Sequence, residues 1–246
     1  MSAGPLISAS GVGVRYGAVA ALADASISIH RGEVWAIVGA NGSGKSTLLR
    51  TLAGIARESQ PSGSIAYAAG ADLARQRAFV PQRPEVAAPF SAREVVRLGR
   101  YAQGPNEAAV DRALAEVGLA HRSDKPFHEL SGGERQRVAV ARALAQMDSG
   151  GVLFLDEPFS GVDPAEVARI ARALLRRAEQ GAVVLSLHDP GLARAIATHA
   201  AILRAGRIVR QGPSGDVLRA EILAEAYGHP MRDLGGWIVP DLEVGR

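Results

Sequence analysis

The sequence has no cysteine. That excludes a disulfide scaffold and thiolate metal sites, and it agrees with a reducing compartment such as the cytoplasm. No apolar run approaches the roughly 18 residues that a membrane-spanning helix needs; stretches such as 152–155 and 182–187 are strand-sized. Residues 1–8 lack a basic region followed by an apolar stretch, so no export signal is expected. Lysine is nearly missing: of 28 basic residues only Lys45 and Lys125 are lysine. A lysine that persists under such a bias suits a site where a compact point charge serves and a broad guanidinium does not. A tight phosphate pocket is one such site. The net charge of +3 forms no basic stripe, so nucleic acid is not an expected partner. It suits a solvated surface or one facing anionic headgroups. The six histidines show no close paired spacing on one helical face, so no transition-metal site is inferred. Repeats and low-complexity linkers are absent.

What is present is ordinary globular composition, 47% hydrophobic and 22% charged over 246 residues, enough to bury a sizeable core. Residues 1–246 read as one domain. Ile27 and Ile29 alternate with polar neighbours as a half-buried strand, and 34–38 is a fully buried strand stopped by Gly39. A helix is expected from Lys45 to about Ala56, closed by the broken segment 58–63. Residues 94–100 and 107–117 read as amphipathic helices, the second capped by Asn106. Strand and helix then alternate: a strand at 152–156, a helix at 164–179, a strand at 183–187 and a helix after Pro190. A hairpin around Ala205-Gly206 and short helices near 217–227 finish the chain. This pattern predicts an α/β fold with a mostly parallel sheet, interrupted at about 83–130 by an inserted helical subdomain.

Three motifs carry chemistry. Gly39-Ala40-Asn41-Gly42-Ser43-Gly44-Lys45-Ser46-Thr47 matches a phosphate-binding loop and stands between a strand and a helix, the context that confirms it. Its glycines let backbone N–H groups converge on phosphates at the positive end of a helix. Lys45 would reach the β and γ phosphates, and the Ser46 hydroxyl would ligate Mg²⁺. Next, four apolar residues end in Asp156-Glu157, at the strand end that opens onto a ligand crevice. Asp156 suits the magnesium shell, and Glu157 suits a general base acting on the attacking water. Last, Leu130-Ser131-Gly132-Gly133-Glu134 sets a capping serine before two glycines in the first turn of a helix running to about 145. Glycine there costs about 1 kcal/mol each unless close backbone approach matters.

With Arg135-Gln136-Arg137, this third motif resembles the signature sequence of ABC ATPases. The resemblance implies a P-loop NTPase (RecA-like) core with an N-terminal antiparallel β subdomain, and ATP hydrolysis with Mg²⁺. It extends residue by residue. Tyr16 resembles the aromatic that stacks on adenine, and Gln82 the glutamine joining the magnesium site to the helical subdomain. Asp163 resembles the aspartate that reaches across a dimer, and His188 the histidine that contacts the γ-phosphate. Singly, each has a plainer reading: Tyr16 a half-exposed strand residue, Asp163 an N-cap before Pro164, His188 a satisfied strand-end histidine.

The resemblance further implies a head-to-tail dimer of two copies, each site pairing Lys45, Ser46 and Glu157 of one chain with Ser131–Gly133 of the other. The partners would be an integral membrane permease and, indirectly, an extracytoplasmic substrate-binding protein. The place would be the cytoplasmic face of the membrane. A non-transport ABC ATPase clamping nucleic acid is the alternative from another class; such relatives usually carry two nucleotide domains or a long coiled-coil insertion. Residues 79–101 and 156–163 look like the zinc/manganese importer ATPases, although Glu134-Arg135 departs from that group's Gln-Gln. The importer ATPases for iron–siderophore, haem and vitamin B12 share Gly99-Arg100-Tyr101 and a tail near Ala226-Tyr227-Gly228. Zinc or manganese is the expected cargo, with the second group as runner-up.

Overall fold

The computed structural model describes residues 4–56, 61–68, 73–147 and 150–242. The chain opens with β1 (Ile7–Tyr16) and β2 (Val19–Ile29), then β3 (Val34–Val38), α1 (Lys45–Leu52) and β4 (Ser62–Tyr67). A short α2 (Leu73–Gln76) leads to β5 (Arg77–Val80), and α3 (Ala92–Leu98), α4 (Glu107–Glu116) and α5 (Gly132–Gln146) follow. Strand and helix alternate through β6 (Val152–Asp156), α6 (Pro164–Gln180), β7 (Ala182–Ser186) and α7 (Pro190–Ile196). The end comprises β8 (His199–Arg204), β9 (Arg207–Pro213), α8 (Ser214–Val217), α9 (Ala220–Tyr227), β10 (Met231–Leu234) and β11 (Trp237–Pro240).

The strands order as a six-stranded sheet β5-β6-β7-β3-β8-β9, parallel except for β9, and an antiparallel sheet β2-β1-β4. This is the expected mixed α/β architecture with an antiparallel N-terminal part. All five residues of β3, β6 and β7 are buried. Such uninterrupted runs arise because a parallel sheet is covered on both faces. Successive side chains then divide by parity. Trp35, Ile37, Phe154 and Val184 join Leu48, Leu49 and Leu52 of α1 under the antiparallel sheet. Val34, Ala36, Val38, Leu153, Leu155 and Leu185 face α5, α6 and α7. Burying one such side chain is worth about 1.5–3 kcal/mol. Trp35 and Phe154 are core residues.

Several boundaries move. The helix after the glycine-rich loop stops at Leu52 rather than 56, because Gly54 turns left-handed at φ +68°. The expected break at 58–63 lies partly outside the described residues, and its end already belongs to β4. Helix α3 starts at Ala92 instead of 94, since Ser91 and Glu94 form a reciprocal capping box ahead of it. The strand before His188 runs from Ala182 to Ser186. The Asn106 cap is present, its side chain accepting from the Ala109 N–H at 3.0 Å. The hairpin β10–β11 had no sequence expectation: its strands are short and mostly exposed. Among the described residues no helix is long and apolar enough to cross a membrane.

Candidate nucleotide site

Four adjacent strands of the main sheet point their carboxyl ends at one place. From β3 come residues 39–47, from β6 come Asp156 and Glu157, from β7 comes His188, and from β5 comes Gln82. A crevice at the carboxyl ends of a parallel sheet is where ligands bind in such folds. The sheet order therefore assembles side chains that the sequence scatters.

The loop 39–47 is held by backbone freedom and by a buried cation. Gly42 and Gly44 take φ of +75° and +104°, a region costly for other residues. A Cβ on Gly44 would come within 2.6 Å of the Ala21 carbonyl oxygen, so that position has no room for one. Lys45 is buried and donates from Nζ to the carbonyls of Gly39 at 2.8 Å and Ala40 at 3.1 Å. Burial pushes its ammonium below the ordinary lysine value, and the carboxylates of Glu157 and Asp156 push it partly back. Both carbonyls belong to the loop, so the ammonium is held against the loop's own backbone.

Beside it, the Ser46 hydroxyl donates to Asp156 Oδ1 at 3.0 Å, and Ser186 Oγ donates to the same oxygen at 2.7 Å. Ser186 also accepts the N–H of Glu157 at 3.0 Å. This fully buried hydroxyl holds the Asp156 carboxylate and the backbone of Glu157, and the sequence reading missed it. Its only signal there is a polar residue closing an apolar strand. Glu157 itself has φ +48°, rare for a non-glycine residue and a mark of backbone strain at a functional turn. Its carboxylate takes the Gln82 amide on Oε2 at 2.5 Å, and His188 Nε2 on Oε1. Gln82 thus meets Glu157 rather than the Ser46–Asp156 pair. Its loop is tied to α5 by Gln136, whose amide reaches the Pro81 carbonyl at 3.5 Å.

The donor set fits a hard cation. Asp156 is buried, and its Oδ2 has no hydrogen-bond partner among the described residues. A buried carboxylate oxygen without a donor is costly unless a cation or water satisfies it. Together with the Ser46 hydroxyl, it offers the oxygen ligands that Mg²⁺ prefers.

The remaining candidates form no hydrogen bond or ion pair with this group among the described residues. Ser131 caps α5 through a reciprocal box, its Oγ accepting from the Glu134 N–H at 3.2 Å while Glu134 accepts from the Ser131 N–H at 2.9 Å. That bond to the Ser131 amide holds the Glu134 carboxyl below the usual range. Ser131 and Gly132 are exposed, and the first amides of the helix lack helical partners, as at any helix start. Among the described residues, no hydrogen bond or ion pair joins Ser131–Gly133 to Lys45, Ser46, Asp156 or Glu157. Asp163 begins α6 without a side-chain cap bond, so its exposed carboxylate is not committed to the helix. Tyr16 ends β1 at 36% exposure.

Comparison with known proteins gives a family, two relatives and two solved structures. A family model described as "ABC transporter" matches residues 22–160. The hemin import ATP-binding protein HmuV of Rhodococcus jostii (strain RHA1) is 38% identical over 91% of this chain and 80% of that protein. The HmuV protein of Streptomyces coelicolor (strain ATCC BAA-471 / A3(2) / M145) is 40% identical over 92% and 84%. Among solved structures, an inward-facing metal-chelate type ABC transporter superposes with a TM-score of 0.80 at 26% identity, over 97% of this chain and 98% of that one. The structure of an ATP-binding subunit of an ABC transporter gives 0.77 at 28%, over 90% and 99%.

Proposed function

The chain belongs to the ABC transporter ATPase family, and on that premise we propose that it powers uptake of haem or a related iron chelate through a separate membrane permease. ATP hydrolysis coupled to transport is the activity of that family. The cargo reading is carried by one observation: relatives 38% and 40% identical over more than nine-tenths of this chain are named for hemin import. The expectation of zinc or manganese finds no support among them, and the runner-up group takes its place.

In the proposed reaction the loop amides of 39–47 and Lys45 hold the ATP phosphates. Ser46 and Asp156 would hold Mg²⁺, which would supply neutralisation of phosphate charge; Gln82 approaches from the side of Glu157. Glu157 takes a proton from water as that water's oxygen bonds to the γ-phosphorus. The bond from that phosphorus to the bridging oxygen breaks, and ADP departs with the electron pair. His188, already on the Glu157 carboxylate, reaches the γ-phosphate, and Tyr16 stacks on adenine. Ser131, Gly132 and Gly133 act on the nucleotide of a second copy, and Asp163 reaches across the same dimer. That no hydrogen bond or ion pair joins them to Lys45 among the described residues supports this reading.

Residues 83–130 serve as the helical subdomain that meets the permease at the cytoplasmic face of the membrane. A cleft of about 430 Å³ between Gly54-Ile55, Phe79, Leu98 and Arg142 suits that contact. Tyr101 at its rim is 95% exposed. An extracytoplasmic binding protein would deliver the cargo, and nucleic acid has no part.

The test is transport in vesicles holding this chain with its permease and binding protein. ATP-dependent uptake of haem or a ferric chelate, with zinc and manganese ignored, is the expected result. Uptake of those two ions with haem refused overturns the cargo reading and leaves the family membership untouched.

A further inference from the structure

The carboxyl-terminal part of the chain reaches both walls of the nucleotide site, and nothing in the reaction described above uses it. Tyr227 is the last residue of α9, directly before Gly228, which turns left-handed at φ +68°. Its phenol oxygen accepts the N–H of Gly39, the first residue of the phosphate loop, at 3.2 Å. Gly39 is buried, with φ +150°, and a Cβ there would strike the Leu203 carbonyl of β8 and lie 2.8 Å from Ser43 Oγ. The loop therefore leaves β3 between a neighbouring strand and a tyrosine hydroxyl. Burial raises the Tyr227 phenol above its ordinary value; the bond from the Gly39 N–H opposes this and the nearby Asp189 carboxylate adds to it, and the net is upward, so the phenol stays neutral.

Asp189 gives the second wall. It follows His188 and caps α7, its Oδ1 accepting from the N–H of Gly191 at 2.8 Å and of Leu192 at 3.1 Å. Over that helix start lies the hairpin β10–β11. A Cβ on Gly191 would come within 2.6 Å of the Trp237 ring, Ile238 is buried, and Arg194 pairs with Asp233 at 2.8 Å.

We propose that Tyr227 is a positioning residue for ATP binding, its hydroxyl fixing the start of the phosphate loop while the segment that carries it braces the turn of His188. It acts through Gly39 and touches no nucleotide. The proposal rests on the assignment of 39–47 as the phosphate loop.

The test compares three variants of the full chain by nucleotide affinity, read with a fluorescent ATP analogue, and by thermal unfolding. Tyr227→Phe keeps the ring and leaves the Gly39 N–H without its acceptor. Leu223→Ala cuts a fully buried side chain of the same helix that has no polar atom to offer the loop. Lys45→Ala reports on the loop itself. The expected result is an analogue Kd raised about fivefold or more by Tyr227→Phe, since a buried donor deprived of an acceptor worth that much lets the loop start leave its arrangement, which ATP must then restore. Leu223→Ala should lose more melting temperature and keep its Kd. If Tyr227→Phe binds as the native chain does while Lys45→Ala fails, the positioning role is wrong and the loop assignment stands. A Kd that follows melting temperature alike in Tyr227→Phe and Leu223→Ala makes the residue merely structural. Native binding by Lys45→Ala removes the loop assignment and the proposal with it.

Discussion

Gly133 lies so close to Gly161 that a Cβ at 133 would stand 2.6 Å from the Gly161 carbonyl oxygen, whereas a Cβ at Gly132 would meet nothing within 4 Å. Two neighbouring glycines thus answer to different constraints. Gly133→Ala should lower the melting temperature, because the clash with backbone outweighs the roughly 1 kcal/mol that alanine gains in a helix. Gly132→Ala should leave the isolated chain as stable as before or slightly more so. Gly132→Asp should fold and yet lose most ATPase activity, since in the proposed dimer its carboxylate would meet the phosphates of the partner copy's nucleotide. Calorimetry and steady-state ATPase assays check the pair; native turnover in Gly132→Asp means that this helix end faces only solvent.

Glu157 holds both the Gln82 amide and the His188 ring, and the amide of Glu157→Gln preserves the shape without accepting a proton. Turnover should fall by about 10²–10⁴ while ATP still binds. The trapped variant should elute as a dimer in the presence of ATP. Hydrolysis at near the native rate would falsify the role of general base.

Because Ser131 and Lys45 serve different nucleotides in the proposed dimer, two dead variants should complement. Mixing Ser131→Arg with Lys45→Ala builds dimers with one intact site, and some activity should return. In the native chain, activity per molecule should climb with concentration. Strict proportionality together with no rescue argues for sites complete within one chain.

The buried Lys45 gives a dependence on pH. Its folded value lies below the unfolded one of about 10.4. Between the two, the unfolded chain binds more protons, so the stability of the nucleotide-free protein should rise with pH across that window. ATP needs the charged form, so its affinity should fall over the same range. Titration calorimetry and melting curves at a series of alkaline pH values read both trends, and Lys45→Met should flatten them.

Much of this site could be read in the sequence because its chemistry is local. The glycine-rich loop, the acidic end of an apolar strand and the Ser131 cap before two glycines each span a few residues with fixed geometry. The structure adds what only tertiary placement decides. Ser186 reads as an unremarkable strand end until β7 pairs with β6 and sets its hydroxyl on Asp156. Tyr227 and Gly39 are joined across most of the chain, and no pattern of spacing links them. Helix ends shifted where a side chain or a left-handed turn outweighed periodicity, as at Ser91 and Gly54. The cargo was the least legible feature, since this subunit is not expected to touch it.

The place of β3 in the sheet bears on how the chain is made. Its two neighbours are β7 and β8, so both of its hydrogen-bonding edges await residues 182–186 and 199–204. A ribosome delivers Val34-Trp35-Ala36-Ile37-Val38 long before either arrives. Until then an apolar pentapeptide has two open edges, the condition under which strands of different chains join. Synthesis of this protein should therefore lean on holding chaperones through the middle of the chain, and truncated products ending before β7 should collect in aggregates rather than as soluble fragments.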